Sequence, residues 1–177
     1  VDVIIVGGGI ANTFLKSSDF IIGKSLFEES MVSKANEIIK IANEKKVSLP
    51  LPDDVVCENK MRTSIKELTK IESEDIIKDI GPKTSRKYEK IFQEAGTILW
   101  NGPVGVFEKK TFENGTKDIA LAICKSNAFT IAGGGDTISA LEKFANISSI
   151  NYVSTGGGAF LQLSLIHISE PTRPSRI

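Results

Sequence analysis

Three times in this 177-residue chain an apolar run ends in three consecutive glycines, followed by residues that suit a helix: "VGGGIAN" at Val6–Asn12, "IAGGGDTISA" at Ile131–Ala140 and "STGGGAF" at Ser154–Phe160. Glycine turns the backbone sharply and leaves its N–H groups unobstructed by a Cβ. A glycine corner between a strand and a helix is therefore a place where backbone donors gather. Between these corners, short β-rich runs alternate with longer amphipathic patterns, as in βαβ units around a parallel sheet. The expected fold class is α/β: a doubly wound, Rossmann-like parallel sheet with helices on both faces.

The expected strands are "VDVIIV" at the start, "VSLPLPDDVVC" ending at Pro50 and Pro52, "TILW", "AFTIA" and "INYVS". The expected helices follow the first glycine corner, then lie in the segments Ser25–Lys46, Gly81–Gly96, Thr111–Ser126 and Asp136–Ala145. In the first long helix, Met31, Ala35, Ile38, Ile39 and Ala42 fall on one face. Glu58–Ile77 is polar and mixed, and reads as excursion loops with a short strand.

Charge excludes several functions. Twenty-two basic and twenty-two acidic side chains give zero net charge, which argues against a nucleic-acid partner. No apolar run has the roughly 20 residues that span a bilayer. Cys57 and Cys124 lack metal-ligand spacing and read as free buried thiols, in keeping with a cytoplasmic location. The chain opens inside an apolar run without an initiating methionine, so its N-terminus is expected to be truncated. Residues 163–177, "LSLIHISEPTRPSRI", are expected to be a non-native tail, because Leu163–Arg173 back-translates to a string resembling a sequencing adaptor. The only histidine, His167, lies there, so histidine acid–base chemistry is not expected.

In open parallel sheets, ligands bind at the carboxyl ends of the strands. Four loops expected on that edge contain glycines: Gly7–Gly9, Gly102–Gly105, Gly133–Gly135 and Gly156–Gly158. Glycine amides beside helix N-termini suit phosphate, although each triplet could also be only a tight turn. Asp136 has two readings. It caps the next helix, with Thr137 at the first helical position and Ser139 at the third, or it holds Mg²⁺. A bare carboxylate would repel a phosphate, whereas a Mg²⁺ ion between them would join the two. Thr137 could then donate to a phosphate oxygen. The dinucleotide fingerprint is incomplete, since Asn12 stands where G-x-G-x-x-G requires its last glycine. Neither a P-loop nor a G-x-S-x-G elbow occurs.

Five segments, "GKSLFE" at Gly23–Glu28, "DIGPKT" at Asp79–Thr84, "WNGPVGVFE" at Trp100–Glu108, "GGGDT" at Gly133–Thr137 and "VSTGGGA" at Val153–Ala159, stand in the order seen in the phosphoglycerate kinase family. The chain resembles the C-terminal, nucleotide-binding half of that family over residues 1–162. The resemblance implies glycolytic phosphoryl transfer between 1,3-bisphosphoglycerate and ADP, giving 3-phosphoglycerate and ATP, in a kinase that is a monomer when intact. It implies that Gly133, Gly134, Gly135, Asp136 and Thr137 hold the nucleotide phosphates, with Asp136 on Mg²⁺. Glu108 would accept from the ribose hydroxyls. Gly8, Gly9, Leu26, Asn101, Pro103 and Val104 would border the adenine. Gly135, Gly157 and Gly158 would face the transferring phosphoryl group. The family's phosphate-binding lysine segment and its substrate half are expected upstream of Val1, so the chain alone is expected to bind MgADP weakly or not at all and not to turn over. The pattern departs from the family at Ile77 and Lys78, on the adenine-pocket edge, and at Tyr152 and Phe160. The rival readings are a non-catalytic nucleotide-binding module and an NAD-dependent oxidoreductase.

Overall fold

Strands β4 (Thr97–Asn101), β5 (Phe129–Gly133) and β6 (Tyr152–Ser154) pair in parallel in the order β4-β5-β6. This is seen in a computed structural model of the chain, which describes residues 1–154. Parallel neighbours need crossovers long enough to return the chain to the same end of the sheet. Helices α4 (Asn114–Lys125) and α5 (Gly135–Phe144) lie in those crossovers, and α3 (Pro82–Glu94) packs beside α4. Pro82 opens α3, where its missing N–H costs no helix bond. Tyr88, Trp100, Ile119, Ile123 and Leu141 meet in the core between sheet and helices. The expected α/β class, a parallel sheet flanked by helices, is what the chain adopts.

The polar stretch Glu58–Ile77, read as loops with a short strand, instead lies largely within a second sheet. Strands β1 (Asp54–Asn59), β2 (Arg62–Glu67) and β3 (Ile76–Ile80) are antiparallel, in the order β2-β1-β3. Asn59 pairs with Arg62 across a two-residue turn in which Lys60 and Met61 both have positive φ, 45° and 65°. Such turns usually signal themselves with Asn-Gly or Asp-Gly. Here the signal is absent, and β2 is an edge strand whose side chains are charged and largely exposed, a pattern that also reads as loop.

Two expected strands are corrected. "VDVIIV" makes only an isolated parallel bridge, Val3 to Ser48, with Ile4 N–H donating to the Ser48 carbonyl at 2.9 Å. Pro50 and Pro52 lack the N–H groups that would extend this ladder. The strand in "VSLPLPDDVVC" accordingly begins after the prolines, at Asp54.

Helix α1 (Gly8–Ser17) places Leu15 against Ile22, Val55, Cys57, Leu68 and Ile71, a second core under the antiparallel sheet. Helix α2 (Val32–Glu44) packs on α1 and buries Ala35 and Ala42. Met31, expected on that face, precedes the helix and is half exposed. Cys57 and Cys124 are free thiols, and burial pushes Cys57 up to about 11. Among the described residues, no helix is long and apolar enough to cross a membrane.

Candidate functional site

The first glycine corner is shaped to lie against the second. Gly8 takes φ +56°, a left-handed conformation that favours glycine. A Cβ on Gly7 would lie 2.9 Å from Val104 Cα. Gly8 N–H donates to the Val104 carbonyl at 3.2 Å. Asn12, the residue that spoils the dinucleotide fingerprint, is buried and donates through Nδ2 to the Leu26 carbonyl at 2.9 Å. Thr13 Oγ1 accepts from Glu28 N–H at 3.0 Å. These two bonds lay Leu26 beside α1, where its carbonyl is 3.7 Å from the Cβ position of Gly9. The Leu26 side chain stays 79% exposed. Gly8, Gly9, Leu26, Pro103 and Val104 are thereby brought together.

The second corner leaves β4 at Asn101. Gly102 N–H donates to Thr137 Oγ1 at 2.7 Å, and Trp100 Nε1 donates to the Gly102 carbonyl at 2.8 Å. The third corner leaves β5 at Gly133. Gly134, at φ +92°, is the N-cap of α5, and a Cβ there would lie 2.7 Å from Asn101 Oδ1.

The capping expected of Asp136 is therefore corrected. Glycine occupies the cap because the required φ excludes other residues, and Asp136 sits in the first turn with no side-chain capping bond. Asp136 is exposed and has no hydrogen bond or ion pair among the described residues. Thr137 is fully buried, and its hydroxyl oxygen accepts from Gly102 N–H while its O–H stays available to donate. The first-turn N–H groups of α5 have no acceptor within the helix, and they lie at the positive end of its dipole.

Glu108 is exposed after the second corner, and its carboxylate has no partner among the described residues. Lys78 lies 3.7 Å from Glu58 as an ion pair, and Ile77 packs on the second core. Gly156–Gly158, with the expected catalytic Gly157 and Gly158, fall outside the described residues, as does the tail.

Two residues that sequence reasoning did not single out brace this edge. Asp79 Oδ2 accepts from Gly115 N–H at 2.7 Å, and its Oδ1 accepts from Ile80 N–H at 2.9 Å. A Cβ on Gly105 or Gly115 would fall 2.2 Å from that carboxylate, so both glycines make room for it. Burial pushes Asp79 up to about 7, against the pull of the two N–H donors and with a smaller upward push from Asp118. Lys143 Nζ donates to the Phe107 carbonyl at 2.8 Å and pairs with Glu113 at 2.8 Å. Asp79 carried a signal, its place in "DIGPKT"; Lys143 carried none.

An edge of backbone donors with two exposed carboxylates, Asp136 and Glu108, can bind a phosphorylated ligand through a bridging cation. Among the described residues, no group of three or more His, Cys, Asp or Glu side chains could cage a metal by itself.

Comparison with known proteins gives the family. The family model described as phosphoglycerate kinase matches residues 1–164. The chain is 49% identical over 166 residues to the phosphoglycerate kinase of Coxiella burnetii (strain RSA 493 / Nine Mile phase I), covering 92% of this chain and 42% of that protein. A solved structure of phosphoglycerate kinase from Coxiella burnetii superposes with a TM-score of 0.90 at 48% identity, over 92% of this chain and 44% of that one. The phosphoglycerate kinase structure from Pyrococcus horikoshii OT3 gives 0.77 at 33% identity, over 92% of this chain and 42% of that one. The chain thus spans less than half the length of these relatives. Over that span, sequence and backbone agree, and the chain belongs to the phosphoglycerate kinase family.

Proposed function

We propose that the protein carrying this chain transfers a phosphoryl group between 1,3-bisphosphoglycerate and ADP, giving 3-phosphoglycerate and ATP, and that the described residues supply its nucleotide side. The supporting observation is the convergence of three glycine corners, joined by the Gly8–Val104 and Gly102–Thr137 hydrogen bonds. In this reading, Gly133, Gly134 and Gly135 with the first turn of α5 receive the nucleotide phosphates. Gly8, Gly9, Leu26, Asn101, Pro103 and Val104 border the base, and Glu108 accepts from the ribose hydroxyls. Gly135, with Gly157 and Gly158 beyond the described residues, faces the transferring group. The bisphosphoglycerate side is assigned to none of the described residues. The intact enzyme is proposed to be a cytoplasmic monomer.

Magnesium fits the donors that are present. One exposed carboxylate, Asp136, at the end of a phosphate-suited corner matches an ion that takes one or two carboxylates and completes its shell with phosphate oxygens and water. When bound, Mg²⁺ would neutralise charge on the phosphates. The protein's own work is to position the nucleotide and to aim backbone dipoles where charge spreads during transfer, the main demand of this reaction. Thr137, held by Gly102, fixes the distance between the base-side and phosphate-side corners. No side chain here needs to shuttle a proton.

The test compares ADP binding with and without Mg²⁺ in the chain and in D136N. Mg²⁺ is expected to tighten ADP binding in the parent and to have little effect in D136N. An equal effect of Mg²⁺ in both would remove Asp136 from the metal site. ATP formation from 1,3-bisphosphoglycerate and MgADP is the activity expected of the full-length protein.

A further inference from the structure

Glu108 has an exposed side chain with no partner among the described residues, so its direction is set by the backbone beneath it. That backbone is a tight turn. Phe107 N–H donates to the Gly105 carbonyl at 3.0 Å, and Lys109 N–H donates to the Val106 carbonyl at 3.2 Å. The Phe107 carbonyl belongs to the same planar unit as the Glu108 N–H. It accepts the 2.8 Å bond from Lys143 Nζ.

Lys143 makes several contacts among the described residues, although its side chain is 39% exposed. Its ammonium pairs with Glu113, whose side chain is only 17% exposed. It also lies 4.9 Å from the Phe144 ring centroid and 5.9 Å from that of Phe107. Those two rings meet edge to face with centroids 6.3 Å apart. A solvated lysine such as Lys24, 60% exposed with one ion pair, has no such set of contacts. Lys143 also stands on α5, about two turns along the helix from Asp136. One helix therefore offers its first turn to the phosphates and, from near its other end, holds the peptide that carries Glu108.

We propose that Lys143 is a positioning residue for Glu108: by fixing the Phe107–Glu108 peptide plane it aims the carboxylate at the ribose hydroxyls. This rests on the nucleotide reading above and deepens it. The device links the phosphate and ribose ends of one ligand through α5, so a nucleotide lacking its hydroxyls loses what Lys143 provides.

The test is the ratio of affinities for ADP and 2′,3′-dideoxyADP, titrated with the full-length protein that carries this chain and with its variants. A hydrogen bond to a charged group implies a wild-type preference for ADP of about tenfold or more. E108A is expected to bring the ratio close to one. K143M and K143Q are expected to do the same while holding dideoxyADP affinity within about twofold, and K143R, which keeps a charged donor, retains the preference. Thermal melts accompany each titration, and K143Q serves if K143M does not fold. An unchanged ratio in the Lys143 variants overturns the proposal. So does an equal weakening of both ligands, which marks a purely structural brace. Failure of the wild type to discriminate, or to bind either ligand, overturns the ribose role of Glu108 and this inference with it. That result is read before any variant is made, so the two failures are distinct.

Discussion

Asp79 is 1% exposed, yet its carboxylate holds the first turn of α4 through Gly115 and borders Gly105 in the second glycine corner. Burial sets its acidity: the group titrates at about 7 rather than at its ordinary 3.8. A folded-state value above the unfolded one means that the folded chain binds the proton more tightly. The stability Asp79 contributes is then fully present below about pH 4 and is lost as pH rises to about 7. D79N cannot titrate. The stability difference between wild type and D79N in urea denaturation is therefore expected to shrink across that interval and to level off above it. A difference that grew with pH would show that the charged form is the stabilised one. The same residue marks where sequence reading stopped. "DIGPKT" was visible as a motif, but the bond from Gly115 spans 36 residues, as does that from Lys143 to Phe107. Periodicity reports which face of an element is apolar, and it does not reveal which distant carbonyl or N–H a charged side chain will meet.

At the scale of elements, β4 and β5 were legible as apolar runs, and α3 and α5 as amphipathic segments opening at Gly81–Pro82 and Gly134, whereas the expected first strand forms only the Val3–Ser48 bridge. The antiparallel sheet was not legible. Its outer strand is charged, its turn residues are Lys60 and Met61, and its support is electrostatic. Asp75 is fully buried, and it accepts from Lys66 Nζ at 2.7 Å, Glu72 N–H at 2.8 Å and Asn59 Nδ2 at 3.0 Å. Burial opposes its charge, but the bonds from Lys66, Glu72 and Asn59 outweigh burial and hold the carboxyl below its ordinary range. Lys66, on β2, thus ties the edge strand to the loop that leads into β3. Removing one partner of a buried pair strands the other. K66M, which strands the buried Asp75 carboxylate, is expected to destabilise the chain clearly more than loss of an exposed pair. K24M, which breaks the exposed Lys24–Glu74 pair, is expected to change stability by under about 1 kcal/mol. Urea denaturation of the two variants checks this, and equal effects would mean that the Lys66–Asp75 pair is not a structural tie.

Across the whole molecule, the glycine corners join parts that rest on different cores. Helix α1 packs on the antiparallel sheet, whereas β4, β5 and α5 belong to the parallel one. The Gly8–Val104 bond crosses between them at the proposed nucleotide edge, and Val106 N–H reaches the Lys78 carbonyl on β3 at 2.8 Å. Gly7, Gly105 and Gly115 permit these approaches by lacking a Cβ. The glycines singled out in the sequence do lie at these corners, but their reason is divided. In the proposed reading Gly133–Gly135 offers donors toward a ligand, while Gly7 and Gly105 serve close packing. The central claim is that these corners form one nucleotide site. Its most direct measurement is the change in backbone amide resonances of the ¹⁵N-labelled chain as MgADP is added. The account predicts that Gly8, Gly9, Gly102, Gly133, Gly134 and Gly135 shift together along one binding curve. Shifts confined to other residues, or glycines following separate curves, would contradict it.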